Sequence, residues 1–219
     1  MIVFRSLAFL AILFGNPSGA NAFDGVFAEN KEERALKEAV EGGNVELAAR
    51  LLTSGAHKAI NGARVDPRAS GYFLAKLLAQ SSERGRLPMV KLLMKYDAYV
   101  EHSTWQPVFR AAYKNHPEVA IYMLDHGASP NEYGGRDFGY RTLLELAASH
   151  GYLELVRKLI EKEVTLVDRS RGTARNIQEP GERAANAAKL YGYFDIAATI
   201  KEAMRPPNQP SLKSLRRRM

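Results

Sequence analysis

The chain has 219 residues, of which 46% are hydrophobic and 25% charged, with 17 Gly, 10 Pro and no Cys. This balance fits a folded chain and excludes disordered and collagen-like classes. Without Cys there is no disulfide framework, thiolate metal site, cysteine nucleophile, iron–sulfur cluster or lipid-modified N-terminal Cys. The net charge of +7 sits mostly at the ends: Arg5 is the one charge in residues 1–22, and Arg205, Lys213, Arg216, Arg217 and Arg218 face no acid in 205–219, which leaves +1 for residues 23–204.

Residues 1–22 read as a signal peptide. Arg5 supplies the positive start, Leu7 to Phe14 the apolar core, Asn16, Pro17 and Gly19 the break, and Ala20-Asn21-Ala22 the small residues of a cleavage site. A helix over that apolar core would cover about 12 Å, against a hydrocarbon core of about 30 Å, so it is too short for a membrane anchor. No later stretch approaches 18 apolar residues. Export with cleavage near Phe23 is the expectation, and a Cys-free exported chain suits an oxidising compartment. A soluble periplasmic protein is expected first and a secreted one second. Residues 23–34 form a polar leader, whose Glu29, Lys31, Glu32, Glu33 and Arg34 suit an N-terminal cap.

Residues 35–204 repeat one layout: a short Ala-rich helix, a turn and a second amphipathic helix. The turn falls at Gly43, Gly85, Asn115, Gly151 and Gly192, with spacings of 42, 30, 36 and 41. Asn115 can replace Gly because Asn also tolerates a left-handed turn. Four residues after each turn stand Leu47, Met89, Val119, Leu155 and Ile196; eight after stand Leu51, Leu93, Met123, Leu159 and Ile200. These positions are one helical turn apart and predict a shared inward face, continued by Ala48, Val90, Ala120, Val156 and Ala197 at the fifth position. Thr142-Leu-Leu-Glu-Leu-Ala-Ala148 resembles the opening Thr-Pro-Leu-His-x-Ala-Ala of the ankyrin repeat, and Gln106 to Ala112 is a looser copy. Gly55-Ala56 and Gly127-Ala128 resemble the Gly-Ala that closes an ankyrin unit. The resemblance implies an all-α ankyrin-type solenoid of about five helix-turn-helix repeats with extended finger loops, in which stacked pairs bury a continuous core. Another helix-pair solenoid would alter the loops more than the function class. The small Ala residues of the first helices should let adjacent backbones approach.

Three connections exceed a minimal ankyrin link: residues 57–71, 129–141 and 165–183. Turn dipeptides such as Asn61-Gly62, Gly134-Gly135 and Pro180-Gly181 mark them as loops. The arginine-rich 165–183 reads as a solvated insertion, since lengthening a loop costs little entropy. Residues 129–141 read as a recognition finger, because Tyr133, Phe138 and Tyr140 stand among Arg136 and Arg141, an interface composition. Trp105, Tyr133, Arg136, Phe138 and Tyr140 are therefore the expected partner contacts, with Trp105 at a finger base. Packing as a helix-entry staple is the competing role for Trp105.

Reactive chemistry is not visible. The five histidines show no HExxH or other close pair, and no GxSxG elbow or P-loop occurs. His116 and His150 stand at or beside turns, a structural setting in the ankyrin family. Glu145 and Glu154 are expected on solvated helix faces. No enzyme activity, metal or cofactor is expected. The tail, residues 205–219, reads as a solubilising end after Pro206-Pro207; its basic run lacks interleaved aromatics, which argues against nucleic acid and leaves weak contact with anionic membrane. The resulting expectation is a monomeric, non-catalytic periplasmic scaffold that binds another protein. Narrower roles are an immunity protein masking a toxin delivered to the periplasm, or an accessory of a periplasmic enzyme in oxidative-stress defence, such as a catalase. An enzyme with a site hidden in the finger loops is the contrasting class.

Overall fold

The computed structural model describes residues 31–55, 67–96, 98, 106–166 and 179–205. Residues 1–30, Trp105 and most of the basic tail lie outside these residues. The chain divides into two compact units, Met1–Phe73 and Leu74–Met219.

Ten α-helices form five pairs among the described residues: α1 (Lys31–Gly42) with α2 (Val45–Ser54), α3 (Pro67–Glu83) with α4 (Leu87–Lys95), α5 (Pro107–Tyr113) with α6 (Pro117–Asp125), α7 (Leu143–Ser149) with α8 (Leu153–Glu161), and α9 (Pro180–Leu190) with α10 (Phe194–Ala203). This is the all-helical repeat architecture that the sequence predicts. Two connections are shorter than expected, because α3 starts at Pro67 and α9 at Pro180, inside the segments read as loops. Proline lacks the N–H that a first helical turn leaves unused, so it opens these helices rather than interrupting them.

All five turns share one geometry. Gly43, Gly85, Asn115, Gly151 and Gly192 have φ of 75°, 65°, 67°, 78° and 84°. The N–H after each turn residue donates to the carbonyl five positions back: Asn44 to Ala39 (2.8 Å), Arg86 to Ser81 (3.0 Å), His116 to Ala111 (2.9 Å), Tyr152 to Ala147 (3.0 Å) and Tyr193 to Ala188 (2.8 Å). A left-handed residue followed by this closure satisfies carbonyls that the end of a helix would otherwise leave orphaned.

In unit 1, α1 packs on α2 and buries Leu36, Ala39, Val40, Ala48 and Leu52. The expected inward pair of this copy differs. Leu47 is 42% exposed and Leu51 half-buried, so the stripe is rotated one residue toward Ala48 and Leu52. In the other four copies the fourth, fifth and eighth positions after the turn are all buried, as predicted.

In unit 2 the first helices form one layer, α7 touching α5 and α9, and the second helices another, α8 touching α6 and α10. Ala75, Ala79, Ala111, Ala112, Ala147, Ala148, Ala184, Ala185 and Ala188 are buried, so small residues do line the close approach of the first helices. On the second helices Lys158 bridges Asp125 (3.0 Å) and Glu161 (2.9 Å). These bonds hold the Lys158 ammonium above its ordinary pKa, and the hydrogen bond from Lys158 holds Asp125 below the usual carboxylate range.

Neighbouring copies are also stitched at their turns. A Cβ on Gly85 would run into the His116 ring, and one on Gly151 would stand 2.5 Å from Cε1 of Tyr193. Between them, the Tyr152 hydroxyl donates to Oδ1 of Asn115 (2.8 Å). In each case the residue after one turn lies on the turn residue of the preceding copy. The row ends at Gly192, where a Cβ would meet nothing within 4 Å among the described residues.

Gly192→Ala should therefore cost only the left-handed backbone penalty, about 1–2 kcal/mol. Gly151→Ala must also expel the Tyr193 ring and should cost at least about 1 kcal/mol more. Paired urea melts check this; equal losses would mean that the ring is not seated tightly.

Candidate functional site

The finger 129–141 is a built element. Tyr133 and Thr142 form an antiparallel bridge, Gly134 N donates to Arg141 O (2.7 Å), and Leu143 N donates to Glu132 O (2.9 Å). Its tip is a single 3₁₀ turn, Arg136–Phe138, closed by Gly139 at φ 70°. Phe138 N and Tyr140 N both donate to Gly135 O (3.0 and 3.2 Å). The base is tied to α5: Glu132 Oε2 accepts from Phe109 N (2.8 Å), and Gln106 Nε2 donates to Tyr133 O (2.8 Å). Gly134 is buried where the finger crosses Phe109; a Cβ there would stand 2.5 Å from Phe109 Cζ.

The predicted contact residues occupy different settings. Tyr133 and Tyr140 stack at 6.3 Å between centroids and are 49% and 57% exposed. Arg136 is exposed at the tip. Phe138 is half-buried against Tyr113 (4.9 Å) and Phe109 (5.2 Å), with Arg110 over its ring (5.4 Å), so it pins the finger to α5 and forms a wall. Trp105 lies outside the described residues. Tyr140 also holds φ at 53°, a conformation that a bulky side chain adopts at a cost.

Beside the finger runs an open groove in two lobes of about 640 and 470 Å³. Both lobes are lined by Gly139, Arg141, Ser149 and Tyr191. The larger adds Tyr113, Asn115, Phe138, His150, Tyr152 and Tyr193, and the smaller Tyr140, Glu145, Arg183 and Leu190. Sequence reasoning missed Tyr113, His150, Leu190, Tyr191 and the lining role of Arg141. The repeat register carries the signal for four of these. Tyr113, Ser149 and Leu190 stand two residues before their turns, and His150 and Tyr191 stand one before.

Glu145 corrects the expectation of a solvated face. Its side chain is 12% exposed, receives the Thr142 N–H (3.2 Å) in a capping box and pairs with Arg183. Thr142 and Glu145 hold one another because a helix start leaves N–H groups unused, and the next copy supplies the cation. Glu154 keeps its expected setting, exposed and paired with Arg157 at 2.7 Å. Nδ1 of His150 donates to Leu146 O (3.0 Å), in line with its structural reading. Burial pushes the Tyr152 hydroxyl above its ordinary pKa, with lesser contributions from Tyr193 and Glu118.

Tyr152→Phe removes the bond to Asn115 and should cost about 0.5–1.5 kcal/mol at neutral pH. A raised tyrosine pKa contributes stability that is complete below the unfolded value of about 10 and is lost as pH rises through the folded value. The gap between wild type and Tyr152→Phe should therefore narrow above pH 10 in melts taken from pH 8 to 11. A gap independent of pH would contradict this environment.

A family model described as ankyrin repeats (3 copies) matches residues 36–134 and 77–170, together more than half of the chain. An ankyrin repeat and KH domain-containing protein of Caenorhabditis briggsae is 29% identical over 108 residues, which covers 47% of this chain and 4% of that protein. Five turns in one left-handed geometry, five helix pairs and this match over the repeats agree: the chain belongs to the ankyrin repeat family.

Proposed function

We propose that this protein is a non-catalytic scaffold of the periplasm that holds a partner protein in the groove between its finger and its first helices. Ankyrin repeats are protein-binding elements, and this supports the general class. The observation that carries the assignment to the groove is the display of Tyr140. A tyrosine held at φ 53° and 57% exposed is retained against backbone strain, beside a groove of aromatic side chains. Tyr and Arg are the residue types that dominate binding hot spots, and Tyr133, Arg136, Tyr140 and Tyr191 present both. The groove also supports binding over reaction. Its carboxylate, Glu145, is committed to Arg183 and to the α7 cap, and no group of three His, Asp or Glu could hold a metal among the described residues. Trp105, expected from the sequence to stand near the finger, completes the proposed contact set, with Phe138 as a wall.

Export rests on the leader, and cleavage should leave Phe23 as the first residue. A photo-crosslinking residue at Tyr140 should capture a partner in a periplasmic extract, while the same residue at Arg157 on α8 should not. Equal capture at both positions, or an uncleaved cytoplasmic protein, would count against the proposal. Tyr140→Gly relieves the left-handed strain, so the melting point should hold or rise while partner binding falls by the equivalent of about 2 kcal/mol. Loss of folding in this variant would show that Tyr140 serves structure instead.

A further inference from the structure

We infer that the occupant of the groove is an acidic segment of the partner protein, gripped by Arg141 in the groove and by neighbouring cations that unit 2 leaves without a carboxylate partner. The inference rests on the proposed binding role of the groove and names the chemistry of its occupant.

The charges of unit 2 are sorted. The residues immediately before its four turns are Arg84, Lys114, His150 and Tyr191. His150 and Tyr191 line the groove, and Arg84 and Lys114 hold the same position in earlier copies. The finger adds Arg136 and Arg141, and Arg141 lines both lobes. Arg84, Lys114, Arg136 and Arg141 are exposed, and none has an ion-pair partner among the described residues. Three carboxylates of the first helices and the finger base are already used. Glu83 pairs with Arg110, Glu145 pairs with Arg183, and Glu132 accepts the Phe109 N–H. Of the remaining acids, Glu118, Asp125, Glu154 and Glu161 stand on the second helices, Glu182 of α9 faces Lys201 (3.7 Å), and Asp137 follows Arg136 in the finger sequence. Residues 23–204 carry only +1, so these unpaired cations reflect how the charges are distributed rather than an overall excess. A groove with Arg141 on both lobes, tyrosines along its walls and further unpaired cations at the finger tip and before the earlier turns complements a chain whose carboxylates alternate with apolar side chains.

A single-stranded nucleic acid also favours cations with aromatics, but it needs free ring faces on which to stack. Here several rings already make contacts of their own. Tyr193 covers Gly151, Tyr113 packs on Phe138, and Tyr133 stacks on Tyr140. The phenol edges and the guanidinium of Arg141 remain, and these suit carboxylates and apolar side chains.

The test uses the full mature protein and two fluorescein-labelled decapeptides of Glu alternating with Leu and Tyr, or of Gln in place of Glu, read by anisotropy. The Glu peptide should bind and weaken with added salt, and the Gln peptide should bind at least about tenfold more weakly. Arg141→Glu, and separately Lys114→Glu, should each weaken the Glu peptide about tenfold with the melting point preserved, while Arg157→Glu on α8 should change nothing. Equal affinity for the two peptides, binding of neither at millimolar concentration, or indifference to both Arg141→Glu and Lys114→Glu overturns the inference. So does tighter binding of oligo(dT) or of phosphatidylglycerol vesicles than of the Glu peptide. Partner capture at Tyr140 that ignores salt and Arg141→Glu would reject the acidic occupant while leaving the binding face standing. Absence of capture at Tyr140 would instead remove the reading on which the inference rests.

Discussion

In unit 2 the residue that follows each turn lies on the turn residue of the copy before, and this contact fixes where everything else points. His116 covers Gly85, Tyr152 reaches Asn115, and Tyr193 covers Gly151. The contact demands two things of Gly85 and Gly151 at once: a left-handed backbone and no side chain. A ring in contact on one side and a helix ending on the other leave little freedom of register. Adjacent copies therefore bring equivalent positions into rows, and Tyr113, Ser149, His150, Leu190 and Tyr191, one or two residues before their turns, come together along a groove. The stacking of copies and the making of the site are one event.

The charged groups divide by the same geometry. Where a carboxylate stands on an inner helix, a cation from the next copy meets it, as in Glu83 with Arg110 and Glu145 with Arg183. These pairs are partly buried and link copies, so removing one partner would strand the other away from full solvation. Exposed pairs on the second helices, such as Arg157 with Glu154, contribute little. Among the described residues, the cations of the finger and of the row before the turns meet no such carboxylate. Tyr140 adds backbone strain beside those cations, on the face proposed to hold a partner.

Much of this fold was legible because the repeat is local in sequence. The turn residues, the inward fifth position and the Ala-rich first helices can all be counted along the chain. Reading failed where contacts cross copies. Leu47 fits the register on paper, yet its copy turns Ala48 and Leu52 inward instead. Pro67 and Pro180 resemble loop punctuation, although each starts a helix. Glu145 seemed a surface acid because the Arg183 that pairs with it comes 38 residues later. The finger residues stood out by composition. Tyr113, His150 and Tyr191 did not, since each lies in an ordinary helix end and joins a groove only after stacking.

Coupling between Gly151 and Tyr193 is the most direct test of the central contact. A double-mutant cycle would compare Gly151→Ala in the wild type and in Tyr193→Ala, with stability read from chemical denaturation. If the ring truly occupies the place of the missing Cβ, truncating Tyr193 removes the clash. Gly151→Ala should then cost no more than the backbone penalty of about 1–2 kcal/mol in that background. Strictly additive losses would show that the ring and the turn do not meet, and the account of how the copies are held in register would be wrong.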